Sequence, residues 1–199
     1  MRRGEVSAGI PITEDGQRIM KSYNHRTVFS GLVIDIEQME VEIGQRGRHT
    51  YQIIRHTGGA GVLPVHDDGT VSLIRQLRPA VAAVMLEIPA GRLSPAEAPA
   101  VCARRELLEE TGITAAELIP LGTVCSSPGV FDEIVHLFAA TGISQGAAQP
   151  EADEEIELLR LPFEEALQMA SDGRISDAKT LAALFRWELL NRSGDPRHA

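Results

Sequence analysis

Between Gly91 and Ile113 the chain reads GRLSPAEAPAVCARRELLEETGI, a segment that spells out both ends of a helix. Ser94 suits an N-cap, Pro95 suits the first helical position, and Glu97 stands where a capping-box acid belongs. Gly112 suits the residue just past the last turn, where a left-handed backbone closes a helix. The spacing predicts a helix from about Pro95 to Thr111. On it Glu106, Glu109 and Glu110 fall at i, i+3 and i+4, so three carboxylates share one face, near Cys102 and away from Val101 and Leu108. Like charges so spaced cost an exposed helix only about 0.2–0.5 kcal/mol per pair, so a solvated acidic face is permissible. The other reading is a set of hard oxygen ligands, of the kind that hold Mg²⁺ where it meets substrate phosphates.

Composition limits the partners. The chain has 199 residues, enough for one well-buried core and a small appendage. With 28 acids against 19 bases the net charge is −9, which repels polyanions and argues against a nucleic-acid binder. A diphosphate would be repelled too, unless metal ions or local arginines offset the field. Cys102 and Cys125 form no C-x-x-C pair and cannot frame a disulfide scaffold, which fits reduced thiols in a cytoplasm. No apolar run, the stretch around Val81 to Leu86 included, is long enough to span a bilayer, so no membrane partner is expected.

Periodicity orders the remainder. Residues 1 to about 28 are polar, with a turn at Glu14-Asp15-Gly16, and read as a loosely structured start. Leu32 to Ile43 alternates, with Gln38 marking a shift of face, and Tyr51 to Ile54 reads as another strand. The first 56 residues are therefore expected to form a strand-rich extension, followed by a main domain over 57–190 and a tail over 191–199. In the main domain Gly61–Val65 and Val71–Leu77 flank a turn at His66–Thr70 and predict a hairpin. Met85–Ile88, Leu118–Val124, Ile134–Ala140 and Ile156–Leu161 read as strands. Two helices close the chain: one from Pro162, and one after Ser176 with Leu181, Leu184, Phe185 and Leu189 on its apolar stripe and Trp187 off it. The element order predicts a mixed α/β or α+β sandwich.

Gly91, Glu97, Arg105-Glu106-Leu107, Glu109-Glu110 and Gly112-Ile113 fill every fixed position of the Nudix box. Nine such matches arise by chance roughly once in ten million chains of this length. The chain thus resembles the Nudix hydrolases. The resemblance implies an α/β/α sandwich with a mixed sheet, preceded here by the strand-rich extension. It also implies Mg²⁺, with Mn²⁺ a possible substitute, held by Glu106, Glu109, Glu110 and the carbonyl of Ala90. Arg105 would orient the glutamates. Glu97 stays open between a capping acid and a support for the metal site.

Pro128 lies 16 residues beyond Gly112 in a Ser-Pro-Gly setting. With Ser72-Leu-Ile-Arg75-Gln-Leu-Arg78-Pro-Ala and Leu86-Glu87-Ile-Pro-Ala-Gly91, it resembles the ADP-ribose pyrophosphatase branch. That branch implies diphosphate contacts from Arg78 first and Arg75 second. Glu87, Pro128 and Glu133 would be linked to substrate or metal. Glu154, in an acid-rich loop, would take the proton of the attacking water, with Asp153 and Glu155 as rivals. The products would be AMP and ribose 5-phosphate. GDP-mannose or another nucleotide sugar is the alternative substrate; a non-catalytic nucleotide-binding regulator is the alternative class. The small N-terminal sheet needs a cover, which is either the main domain or a second subunit, and the resemblance implies a homodimer.

Overall fold

The computed structural model describes residues 20–148 and 155–193. In chain order these form β1 (Lys21–Ser30), β2 (Asp35–Glu42), β3 (Arg48–Arg55), β4 (Gly59–Pro64), β5 (Thr70–Arg78), β6 (Ala83–Glu87) and β7 (Ala90–Arg92). Then come α1 (Pro99–Thr111), β8 (Ile113–Cys125), β9 (Ile134–Gln145), β10 (Ile156–Pro162), α2 (Phe163–Ser171) and α3 (Ala178–Ser193). The described residues up to His56 make one compact unit with Ser127–Asp132; those from Thr57 to Ser126 and from Glu133 onward make a second.

The first unit is an antiparallel sheet in the order β1-β2-β3. From Lys21 onward its first strand corrects the expectation of a loose start; the remainder of that expectation, residues 1–19 with the Glu14-Asp15-Gly16 turn, lies outside the described residues. Periodicity could not report that strand. Most of it is exposed, so it is held by ladder bonds and polar pairs such as Tyr23 Oη–H to Glu42 at 2.9 Å, rather than by burial. The face shift expected at Gln38 lies across the ladder instead. β2 pairs with β3 without a break, whereas β1 slips register between Tyr23 and Arg26, where Asn24 takes φ +54°. Ser127–Asp132 joins this unit along β3. The Ile54 N–H donates to the Val130 carbonyl at 2.7 Å, and the Asp132 carboxylate accepts from Arg55 at 2.9 Å and from the His56 N–H at 2.8 Å.

Alternation along β4 and β9 builds the second unit. Its main sheet runs β7-β4-β9-β8, with β4 parallel to β9, and a smaller antiparallel sheet runs β10-β5-β6. Ala60 and Val62 of β4, with Phe138 and Ala140 of β9, pack against Cys102, Ala103 and Leu107 of α1. The intervening residues Leu63, Leu137 and Ala139 join Val71 and Leu73 of β5 and Ala183, Leu184 and Trp187 of α3. Successive side chains thus feed two cores, a mixed α+β design with a helix on each side of one sheet.

Two packing expectations are corrected. The turn at 66–70 forms, with the Gly69 N–H on the His66 carbonyl at 3.0 Å, but its two strands enter different sheets. On α3 the buried residues are Thr180, Ala183, Leu184 and Trp187, whereas Phe185 and Leu189 are 46% and 66% exposed. Apolar residues surround this helix, so spacing alone could not choose which side turns inward.

Gly112 ends α1 at φ +70°, and its N–H donates to the Leu108 carbonyl at 2.8 Å. A Cβ there would lie 2.6–2.7 Å from the backbone of Gly146–Ala148. Gly112→Ala should therefore lower unfolding free energy by roughly 1–2 kcal/mol from the left-handed backbone alone, with crowding added. Urea titration reads this directly; an unchanged midpoint would contradict the close approach.

Candidate active site

The helix carrying the glutamates starts at Pro99, with Ala98 as its N-cap, and not at Pro95 after Ser94. A residue preceding proline is driven out of the helical region, and Ala98 is extended at φ −72°, ψ 140°. A helix from Pro95 would have carried Pro99 inside it, losing a bond and clashing one turn back. Residues 94–97 instead form a turn in which the Glu97 N–H reaches the Ser94 carbonyl at 3.0 Å and the Ser94 N–H reaches Glu97 Oε2 at 2.9 Å. Glu97 keeps the reciprocal bond expected of a capping acid, but spends its carboxylate on Arg105 as well.

Arg105 is the hub. Its Nε and Nη2 donate to Glu97 at 3.0 and 3.1 Å, and its Nη1 donates to Glu106 at 2.6 Å and Glu109 at 3.0 Å. Nη2 also reaches the Arg92 carbonyl at 3.1 Å, which ties α1 to β7. These carboxylates raise the guanidinium's already high pKa, so its charge is permanent. Arg105, then the Ser94 N–H, hold the Glu97 carboxyl down to about 2. Glu110 is buried, and its Oε2 accepts the Ala90 N–H at 2.9 Å. Glu106 fills the space over Gly91, where a Cβ would sit 1.9 Å from its carboxylate oxygen. Cys102 lies beneath, its S–H directed at the Arg92 carbonyl at 3.4 Å; burial, with Glu106 and Glu97 nearby, pushes the thiol up to about 12. It packs with Ala60, Val62, Phe138 and Ala140.

Arg105, Glu106, Glu109, residues 90–92 and Arg78 wall a cleft of about 580 Å³. Among the described residues no three acidic, histidine or cysteine side chains are gathered around one point, since Glu106 and Glu109 turn onto Arg105 and Glu110 onto Ala90. The donor set nonetheless suits a hard divalent cation: carboxylates line an open cleft, and a glycine leaves room for one of them.

Arg78 grips Glu87 through two bonds, Nε to Oε1 and Nη2 to Oε2, each 2.9 Å. Glu87 is 1% exposed and also receives Lys179. Burial pushes its carboxyl up, but bonding to Arg78 and the charge of Lys179 more than reverse this and hold it below the usual range. Arg78 also lines a second cavity of about 320 Å³ that includes Glu133, Asp177 and Lys179. Arg75 is not brought to either cleft; it pairs at 3.3 Å with exposed Glu157 across β5 and β10. Pro128 belongs to the first unit and is exposed. Glu154 and Asp153 lie outside the described residues, and Glu155 is exposed.

Sequence reasoning missed Lys179 and Asp177. The signal was available: Asp177 stands three residues before Thr180 at the start of a helix, and its Oδ2 accepts the Thr180 N–H at 2.9 Å.

Residues 55–184 match the NUDIX domain family. The chain is 37% identical over 172 residues to the ADP-ribose pyrophosphatase of Bacillus subtilis (strain 168), covering 83% of this chain and 93% of that protein. It is 35% identical over 173 residues to the GDP-mannose pyrophosphatase of Cronobacter sakazakii (strain ATCC BAA-894), covering 81% and 88%. Its fold is also that of a crystal structure of an ADP compounds hydrolase, with a TM-score of 0.77, 22% identity and coverage of 88% of this chain and 96% of that one. With Gly91, Arg105, Glu106 and Glu109 of the box walling one cleft and the family match spanning most of the second unit, the chain belongs to the NUDIX family of hydrolases.

Proposed function

We propose that the chain hydrolyses the diphosphate of ADP-ribose, releasing AMP and ribose 5-phosphate. The observation that carries this reading is one cleft walled by both the box residues Glu106, Glu109 and Arg105 and the outside arginine Arg78. Mg²⁺ held by Glu106, Glu109, Glu110 and the Ala90 carbonyl would supply positive charge to the diphosphate and acidify water, as bound divalent ions do. The chain's own residues do the rest. Arg105 keeps Glu106 and Glu109 together at the rim, and Arg78 offers the remaining edge of its guanidinium to a phosphate oxygen. Glu154 takes the proton of the water that attacks one phosphorus, with Asp153 and Glu155 as rivals. Glu87, Pro128 and Glu133 complete the proposed substrate set, with Glu87 acting through Arg78; Arg75, paired with Glu157 away from both clefts, drops out of it.

The proposed organisation is a strand-rich extension over 1–56 that serves dimerisation and substrate binding, a hydrolase domain over 57–190, and a tail over 191–199. A homodimer in the cytoplasm fits this reading; among the described residues no helix is long and apolar enough to cross a membrane. Likeness to a GDP-mannose pyrophosphatase supports a second reading, with the same metal site and a different base pocket. A panel of ADP-ribose, GDP-mannose, UDP-glucose, NADH, diadenosine polyphosphates and nucleoside triphosphates decides between them. With Mg²⁺, ADP-ribose should give the highest kcat/KM by at least about tenfold, a modest 1.4 kcal/mol of discrimination, and EDTA should stop release of phosphate monoester. Preference for GDP-mannose would move the assignment to the second reading, and turnover indifferent to EDTA would end the metal proposal.

A further inference from the structure

The start of α3 holds a group of charges that the reaction as described does not use. Lys179 Nζ donates to Glu87 Oε2 and, at 3.0 Å, to Asp177 Oδ1. Asp177 caps the helix through the Thr180 N–H, and the Thr180 hydroxyl oxygen accepts the Ile88 N–H at 2.8 Å. The helix start is thus fastened to the strand-end segment 87–88, one residue short of Ala90 and Gly91. Glu87 is the centre of the group, a carboxylate 2% exposed at its side chain that is shared by Arg78 and Lys179.

A buried carboxylate must be compensated. Arg78 alone would leave Glu87 held from one side only, free to shift and carry the guanidinium with it. With Lys179 sharing Glu87 Oε2, the carboxylate is met from two sides. Arg78 then stays fixed by Nε and Nη2, while its Nη1 faces outward from that pair. We infer that Lys179 is a positioning residue, which sets the aim of Arg78 toward the diphosphate by holding Glu87 from the side of α3. The inference rests on the reading of Arg78 as a diphosphate contact. Because Lys179 also lines the smaller cavity, direct contact with substrate is the rival it must be separated from.

A double-mutant cycle with Lys179→Met and Glu87→Gln makes the separation. Three quantities are measured on all four proteins: the melting temperature, the calorimetric Kd for α,β-methylene ADP-ribose, and KM and kcat for the panel substrate the wild type cleaves best. Lys179→Met should raise Kd and KM about tenfold with kcat changed less than threefold, and Lys179→Arg should recover most of the loss. In the Glu87→Gln background the same change should raise Kd less than about twofold, since the carboxylate it acts through is gone. Full additivity in Kd would mean that Lys179 touches the ligand itself, and wild-type kinetics for Lys179→Met would mean that it does nothing for the site; either result overturns the inference. Should Lys179→Met fail to fold, Lys179→Gln in the same cycle gives the same comparison. If wild type neither binds nor cleaves any panel compound, the functional reading fails. The melting cycle then decides the Lys179–Glu87 link by itself: coupled melting shifts keep it and additive shifts remove it.

Discussion

Replacing Glu110 with glutamine should reduce turnover on the order of 10³-fold while the protein still melts within a few degrees of the wild type. The two halves of this expectation have different causes. Glu110 is 4% exposed and accepts the Ala90 N–H at 2.9 Å. A glutamine of the same length keeps a carbonyl oxygen that accepts this bond, so the loop remains seated on the helix. What it loses is a negative charge beside the place where the proposed cation would sit. Lewis-acid stabilisation of a phosphoryl oxygen is worth several kcal/mol, and about 1.4 kcal/mol is a factor of ten, so loss of most of it gives the stated magnitude. Kinetics with the best panel substrate, together with calorimetric titration of Mg²⁺ into the wild-type and variant proteins, check it. Turnover within tenfold of wild type, with the fold intact, would show that Glu110 holds Ala90 and nothing else.

How far the sequence could be read depended on which physical signal each element used. The second unit was legible because its strands bury alternating aliphatic residues, as Ala60, Val62, Phe138 and Ala140 do on one face of the main sheet. β1 was not, since its side chains are mostly exposed and its ladder bonds leave no trace in hydrophobicity. The box glutamates could be placed on one helix face by spacing, yet the helix start was misplaced. Ser94 and Pro95 satisfied local capping rules, while Pro99 vetoed a helix through Ala98. Pairing across elements was invisible in principle. Glu87 and Arg78 were each singled out, but their mutual grip needs the β5–β6 register, in which Ile74 faces Glu87 and Arg78 faces Ala83. Lys179 sits 92 residues from Glu87, and only the packing of α3 brings the two together.

Gly91→Ala tests the geometry of the cleft more sharply than removal of any glutamate. Gly91 does not adopt positive φ, so its backbone is one that alanine accepts without strain. It pairs with Ala60 across β4 and β7, and an added methyl leaves that ladder untouched. The methyl would, however, fall 1.9 Å from Glu106 Oε1 and 2.0 Å from its Cδ, which no pair of atoms tolerates. The obstructing atoms are the far end of a flexible side chain, so Glu106 swings away at little cost to stability. Its carboxylate then leaves both the Arg105 Nη1 bond, 2.6 Å in the wild type, and the glycine cradle. Melting should shift by only a few degrees, about 1 kcal/mol or less, while kcat/KM falls on the order of 10²–10³-fold, about 3–4 kcal/mol of transition-state stabilisation. Gly112→Ala supplies the contrast on the same helix, losing stability but keeping activity per folded molecule, because no glutamate lies against its added methyl. If Gly91→Ala retained full activity, the carboxylate over that glycine would not be part of the machinery, and the box would owe its glycine to chain packing alone.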